Sequence, residues 1–561
     1  MYFRFPALMV MVFILLIGVL YLQGKMNSHA MNAGEPVVNS DILNPSVNHA
    51  LETINAAQLR AHLEFLADDL LEGRDTGSRG ARVASLYIAS QFERVGLKAV
   101  GDGQSFFQAV PMLRKQYSPK SILKVEVNGE LVSFNYGEDF LVASAPADNG
   151  RIFNAELVFT GFGIQAQEYG YDDFKNLDVK GKFTVYFSGE PASDNESFFD
   201  GDRPTRHSDG FLKRRIAQNL KAAGAITILQ RETLQHVNWA DLQNYYGGAK
   251  MLTESSGASK PATDFPALII HPDVAERVFA GASKSYEALE AEAATGLLAA
   301  FDLKKNVQVQ IITDETRIAD RNVVGFLEGS DSDLKSEVVV FSAHYDHVGI
   351  GVPVAGDSIY NGAGDNASGV SGLLELADAF SALSIPPKRS LLFLAVTAEE
   401  KGLLGSEYYV ENPIYPMAKT VANFNFDIIG IGDSTGLVVY GQERSSLGTV
   451  VEKAAQQFNL KIMPDDLPEE NIFIRSDHYS FAKKGVPAIF PSFGLDRAGF
   501  QKFIKYYHQP SDDLSLPFNF NYMKKHVQVV FLAGMWVANA SKTPTWTKGD
   551  EFEKARESTR N

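Results

Sequence analysis

Val338-Val-Val-Phe-Ser-Ala-His344 decides the fold. Four apolar residues stand in a row without alternation, and a histidine closes the run. A strand wetted on one face alternates apolar and polar residues; an unbroken run suits a strand covered on both faces. Leu391-Leu-Phe-Leu-Ala-Val396 and Ala488-Ile-Phe490 repeat the pattern, with a helical stretch such as Gly369 to Leu383 between them. From Asn322 onward the chain is therefore predicted to be α/β, a mixed and mostly parallel sheet flanked by helices. In such sheets ligands and catalytic groups collect at the carboxyl ends of the strands.

Metal-binding residue types stand at those ends. His344 is followed by Asp346, which in an extended segment points the same way and can fix the imidazole tautomer. Asp365 lies in Asn361-Gly-Ala-Gly-Asp-Asn-Ala-Ser-Gly369, where a plain helix cap would explain it equally well. Glu399 and Glu400 follow the second run, and adjacent carboxylates beside a buried strand need cationic company. Asp427 follows the alternating Asn423-Phe-Asn-Phe426. A further imidazole comes from His508, in Tyr506-Tyr-His-Gln-Pro-Ser-Asp-Asp513, or from His478, with His347 the weaker rival. Each has an ordinary structural explanation alone; their succession within one α/β region points to a pair of ions held by N and O donors with a free carboxylate beside them.

The chain has 561 residues, 45% of them hydrophobic and 21% charged, enough for two or three domains with sizeable cores. A net charge of −16 argues against nucleic acid as a partner. The absence of cysteine excludes disulfides and thiolate metal sites. Residues 1–34 contain Arg4 and the apolar run Phe5 to Leu22, which predicts export, with either a cleaved signal or a retained membrane anchor. Residues 35–50 are Asn/Ser/Pro-rich and read as a linker. Residues 51–115 are helical, with Leu59, Leu63, Leu66 and Leu70 on one face and Val83, Leu86, Phe92 and Val95 on another. Residues 116–305 open with short alternating segments and read as a β-rich insert. Residues 306–541 hold the candidate site, and 542–561 form a charged tail expected to fray.

Six motifs, in this order, resemble the co-catalytic di-zinc aminopeptidases, the family of bacterial leucyl aminopeptidase and glutamate carboxypeptidase II. They are Ser342-Ala-His-Tyr-Asp346, Gly362-Ala-Gly-Asp-Asn-Ala-Ser-Gly369, Ala398-Glu-Glu-Lys-Gly-Leu-Leu-Gly-Ser406, Asn425-Phe-Asp427, Ser476-Asp-His-Tyr-Ser-Phe481 and Tyr507-His-Gln-Pro-Ser-Asp512. The resemblance implies His508 rather than His478 as the last ligand. It implies Asp365 as a bridge between two zinc ions, His344 and Asp427 completing one site, Glu400 and His508 the other. Glu399 would be the general base and Asp346 the partner of His344. The insert resembles a protease-associated domain through Gly161-Phe-Gly-Ile164, Tyr171-Asp-Asp-Phe174, Leu177-Asp-Val-Lys-Gly-Lys182 and Lys221-Ala-Ala-Gly-Ala225.

The implied activity is hydrolysis of N-terminal residues from peptides. A related glutaminyl cyclase would keep one zinc, a carboxypeptidase of the same family would cut at the other end, and a non-catalytic receptor-like relative would lack the intact site.

Overall fold

The computed structural model describes residues 44–560 except 193, 194, 196, 200, 202–204, 255–263 and 297. The apolar run 5–22 lies outside them. Among the described residues no helix is long and apolar enough to cross a membrane. The described residues form two compact units, one within 113–252 and 264–316, the other within 44–112, 253–254 and 317–560. The insert was expected at 116–305. Its boundaries fall instead inside the strands Phe107–Tyr117 and Thr313–Leu327, so no break in pattern marks them.

The larger unit is built on strands β1 (Thr313–Leu327), β2 (Val338–His344), β3 (Ser390–Val396), β4 (Thr420–Asn425), β5 (Asp433–Tyr440), β6 (Lys461–Met463) and β7 (Ala488–Gly494). They lie side by side in the order β1-β3-β2-β4-β7-β5-β6. The central pairs β3–β2, β2–β4 and β4–β7 are parallel, as is β5–β6; β1–β3 and β5–β7 are antiparallel. Every residue of β2, β3, β4 and β7 is buried, which is why their sequences do not alternate.

The two faces are nonetheless sorted. Val339, Phe341 and Ala343 enter the main core with Leu391, Phe393 and Ala395, while Val338, Val340, Leu392, Leu394 and Val396 enter a second core on the other side. Phe341 lies 5.5 Å from Phe393, 5.6 Å from Phe424 and 5.4 Å from Phe380, an aromatic layer across three strands. Helix Phe520–Asn539 comes so close at Gly534 that a Cβ there would lie 2.5 Å from the Phe341 ring.

Several expectations for the helical parts need correction. The stretch read as linker holds a helix, Pro45–Thr53, capped by the Asn44 side chain on Val47 N and burying Val47, Ala50 and Leu51. Asn-Pro was composition in the linker reading but is cap and first-turn chemistry here. Helix Ala56–Leu66 buries Leu59, Leu63 and Leu66 but ends there, and Leu70 is 84% exposed. Helix Arg79–Arg94 buries Ala81, Ala84, Ile88 and Phe92 and exposes Leu86; small residues let it pack closely. The tail is anchored rather than frayed. Trp546 Nε1 donates to Gly485 O at 2.8 Å, and Arg556 in helix Glu553–Arg560 donates to Met417 O at 3.0 Å and Thr420 O at 2.8 Å.

The smaller unit holds an eight-stranded sheet ordered 130–135, 122–127, 301–310, 152–159, 183–187, 224–228, 267–270, 140–144. Its first hairpin turns at Asn128-Gly129, both with positive φ, the geometry such a two-residue turn requires. The insert, read as β-rich, also contains helices Pro272–Phe279 and Tyr286–Ala293, whose buried faces complete this unit's core.

Candidate metal centre

Strand ends and the loops after them bring the predicted residues together. His344 ends β2, Glu399 and Glu400 follow β3, and Asp427 follows β4. Asp365 sits in the turn leading into helix Gly369–Ser381, and His508 follows helix Arg497–Phe503. His344 Nε2 lies 3.2 Å from Asp365 Oδ1 and 3.4 Å from Asp427 Oδ1. His508 Nε2 lies 3.3 Å from Asp365 Oδ2 and 3.1 Å from Glu400 Oε2. Each oxygen of Asp365 thus faces a different cluster. Two groups with metal-binding spacing result: His344, Asp365 and Asp427, and His347, Asp365, Glu400 and His508.

His347 belongs to the second group although it was the weaker rival. Its Nδ1 stands 2.8 Å from Glu400 Oε1 and fixes that carboxylate with Oε2 turned to His508. The serious rival, His478, stands in neither group; its ring packs 4.8 Å from Phe473 and 5.5 Å from Phe490. Burial pushes its pKa down to about 3.

Asp346 departs from expectation. Its carboxylate is 3.9 Å from His344 Nδ1, while its main-chain carbonyl lies 3.2 Å from that nitrogen. The carboxylate instead accepts from Glu399 N at 3.1 Å, Glu400 N at 3.4 Å and Thr76 Oγ1 at 3.2 Å. It therefore holds the backbone that presents both glutamates.

Other supports were not singled out from sequence. Ser476 Oγ donates to Asp427 Oδ2 at 2.6 Å and accepts from Asn425 Nδ2 at 2.8 Å, and Asn425 Oδ1 accepts from Ser342 Oγ at 2.7 Å. Asp512 accepts from Gly364 N at 2.6 Å and Asp365 N at 3.0 Å, pinning the Asp365 loop. Arg74 is 1% exposed and donates only to main-chain carbonyls around the site. Gly364, where a Cβ would lie 3.0 Å from Asp512 Oδ1, was the available signal for Asp512, and Gly73 beside Arg74 for the other loop. Four non-glycine residues at the site take positive φ: Arg74, Ala398 before Glu399, Ile428 after Asp427, and His508 itself. A β-branched residue at φ 52° is an outlier that surrounding structure must hold in place.

Asp346, Asp365, Glu399, Glu400, Asp427, Asp477 and Asp512 crowd seven carboxyls into this region. Burial, then the charges of Glu400, Asp477 and Asp427, lift Glu399 well above the usual carboxylate range. Burial also lifts Asp427, and lifts Asp512 to about 6. Burial and the Glu400 charge act upward on Asp365, but His344 and His508 outweigh them and hold it low. Burial acts to lower His344 and His508, yet the surrounding carboxylates raise both well above the ordinary histidine value. So much negative charge in a dry site calls for cations. Asp427 Oδ1 and His508 Nε2 are buried without hydrogen-bond partners. Orphaned donor atoms of N and O type, and a chain without cysteine, fit borderline divalent ions such as zinc.

Residues 322–532 match the model of Peptidase family M28. Leupeptin-inactivating enzyme 1 of Streptomyces exfoliatus is 36% identical over 135 residues, 23% of this chain and 29% of that protein. Aminopeptidase YwaD of Bacillus subtilis (strain 168) is 26% identical over 209 residues, 37% of this chain and 42% of that protein. The chain thus spans less than half the length of either curated relative. A solved aminopeptidase from Aneurinibacillus sp. strain AM-1 has the same fold, with a TM-score of 0.52 at 19% identity over 89% of this chain and 97% of that one.

Proposed function

We propose that this chain, which carries a peptidase family M28 domain over residues 322–532, is a metal-dependent aminopeptidase acting on peptides with two zinc ions. The observation that carries the reading is the division of Asp365: one oxygen faces the His344–Asp427 group, the other the Glu400–His508 group, and Glu399 belongs to neither. The named relatives, an aminopeptidase and a leupeptin-inactivating enzyme, support the same chemistry.

Bound ions would polarise the scissile carbonyl and lower the pKa of a water from about 15.7 to roughly 7. Asp365 would hold the pair, with His344 and Asp427 on one side and Glu400 and His508 on the other. Glu399 accepts the proton of the attacking water and returns it to the leaving amine. Its carboxyl, lifted by burial and neighbouring charge, suits a base that must next serve as an acid. Asp346 keeps Glu399 and Glu400 in register through their backbone amides.

The test is a panel of aminoacyl chromogenic substrates and N-blocked peptides, with and without chelator. Chelator-sensitive release of free N-terminal residues is expected, and equal cleavage of N-blocked peptides overturns the aminopeptidase assignment. One zinc per chain by elemental analysis would favour the cyclase instead. The Arg4-flanked run Phe5–Leu22 supports export to the periplasm or beyond, with fractionation of the full chain as the check.

A further inference from the structure

The geometry points to Arg74 as the positioning residue that holds both halves of the metal centre in shape before any ion arrives. The inference rests on the metal-site reading above and adds a residue that touches neither ion nor substrate.

Arg74 spends its guanidinium on carbonyls. Nε donates to Tyr345 O at 2.8 Å, Nη1 to Asn361 O at 2.6 Å and to Leu66 O, and Nη2 to Gly362 O at 2.9 Å. Its own carbonyl accepts from His347 N at 3.2 Å. Tyr345 follows His344 directly, and Asn361 and Gly362 lead into the loop of Asp365. The Arg74 side chain therefore ties the backbone beside His344 to the loop of Asp365, and the residue's own carbonyl adds His347.

The opposite side of the Asp365 loop is held by the opposite charge. Asp512 takes the amides of Gly364 and Asp365, and its main-chain carbonyl takes Ala363 N at 3.0 Å. Carbonyls of residues 361 and 362 point to the cation and the amides of 364 and 365 to the anion, so Asp365 sits between two clamps. Asp512 also lies four residues after His508 and links that ligand's turn to the bridge. A planar fork with five donors suits this task; a lysine ammonium, with three donors on one atom, cannot span carbonyls set this far apart.

Burial explains why the arrangement must be complete. Arg74 is 1% exposed, so each donor needs a protein acceptor, and the main chain must keep those carbonyls in place. Residues that orient metal ligands typically change affinity by 10–100-fold when removed.

A matched control exists in the same unit. Arg389 is also 1% exposed and donates to Val537 O at 3.0 Å and Ala540 O at 2.5 Å, at the carboxyl end of helix Phe520–Asn539, and to Glu337 at 2.6 Å. It has no link to the ligand loops. Zinc affinity is measured by chelator competition, and the visible spectrum of the Co(II)-substituted protein reports ligand geometry, for wild type, Arg74→Lys and Arg389→Lys.

Arg74→Lys is expected to weaken zinc binding at least 10-fold and alter the Co(II) spectrum, whereas Arg389→Lys lowers the urea midpoint but keeps affinity and spectrum. Wild-type affinity and spectrum in Arg74→Lys overturn the inference. Should that variant fail to fold, hydrogen exchange on metal-free wild type decides. The amides of His347, Gly364 and Asp365 stay protected if the loops are held without metal, and rapid exchange there overturns the proposal. Failure of the wild type to bind zinc overturns the metal-site reading itself.

Discussion

Ser476→Ala removes one hydroxyl from the partner network of Asp427 and leaves every proposed ligand in place. The lost bond is short, 2.6 Å, and its acceptor is a carboxylate. Hydrogen bonds to charged groups contribute about 1.5–3 kcal/mol net. At about 1.4 kcal/mol per decade this corresponds to roughly 10–150-fold in affinity, if the bond is realised mainly when Asp427 is held for an ion. The same change strips the Asn425 amide of its 2.8 Å acceptor in a buried setting, which adds about 1–3 kcal/mol to the cost in fold stability. The two losses separate experimentally. Chelator competition reports the first, and the urea midpoint of the metal-free protein reports the second. The His344–Asp427 side should lose zinc first, so a titration that binds two equivalents in wild type should show one strong and one weakened step. His508→Ala should weaken the other step. Equal weakening of both steps in Ser476→Ala, or a change under threefold, would refute the role given to this hydroxyl.

Three further outcomes follow from the same geometry. Glu399→Gln should keep both metals and lose about 10²–10⁴-fold in turnover, the usual contribution of a general base; metal loss with normal kcat per bound metal would contradict its placement outside the ligand groups. Phe341→Ala, in the aromatic layer beneath the site, should cost about 3–5 kcal/mol, read from the urea midpoint of the larger unit. His478 and His526 are held at about 3 and about 4 by burial, below the unfolded value of 6.5. The unfolded chain binds more protons between those values, so their contribution to stability falls as pH drops from 6.5 toward 3. His478→Leu should flatten that acid limb by at most one proton, about 1.36 kcal/mol per pH unit; an unchanged slope would mean the ring is protonated in the fold.

Three of the proposed ligand positions, His344, Glu400 and Asp427, were legible because each stands at or just past the end of a buried strand. A run such as Val338 to Phe341 cannot end in the core with its backbone unpaired, so the polar residue after it marks the sheet's edge, and chemistry gathers there. Choosing between His508 and His478 was not legible on those terms. His478 is enclosed by Phe473, just before its helix, and Phe490, on the strand after it, and only the packing of that helix on β7 turns the ring toward them. Asp346 went partly wrong for a related reason. The alternation of side chains along an extended segment predicts direction, but β2 ends at His344, and beyond it the carboxylate turns to the backbone amides of Glu399 and Glu400. Arg74 and Asp512 were hidden most fully, because both act on main-chain atoms, and any sequence supplies carbonyls and amides. Their identity matters only once the loops of residues 345 and 361–365 are brought together. Candidates such as His344, Glu400 and Asp427 can therefore be read from where strands end, whereas the groups that hold them emerge only from which loop each end must meet.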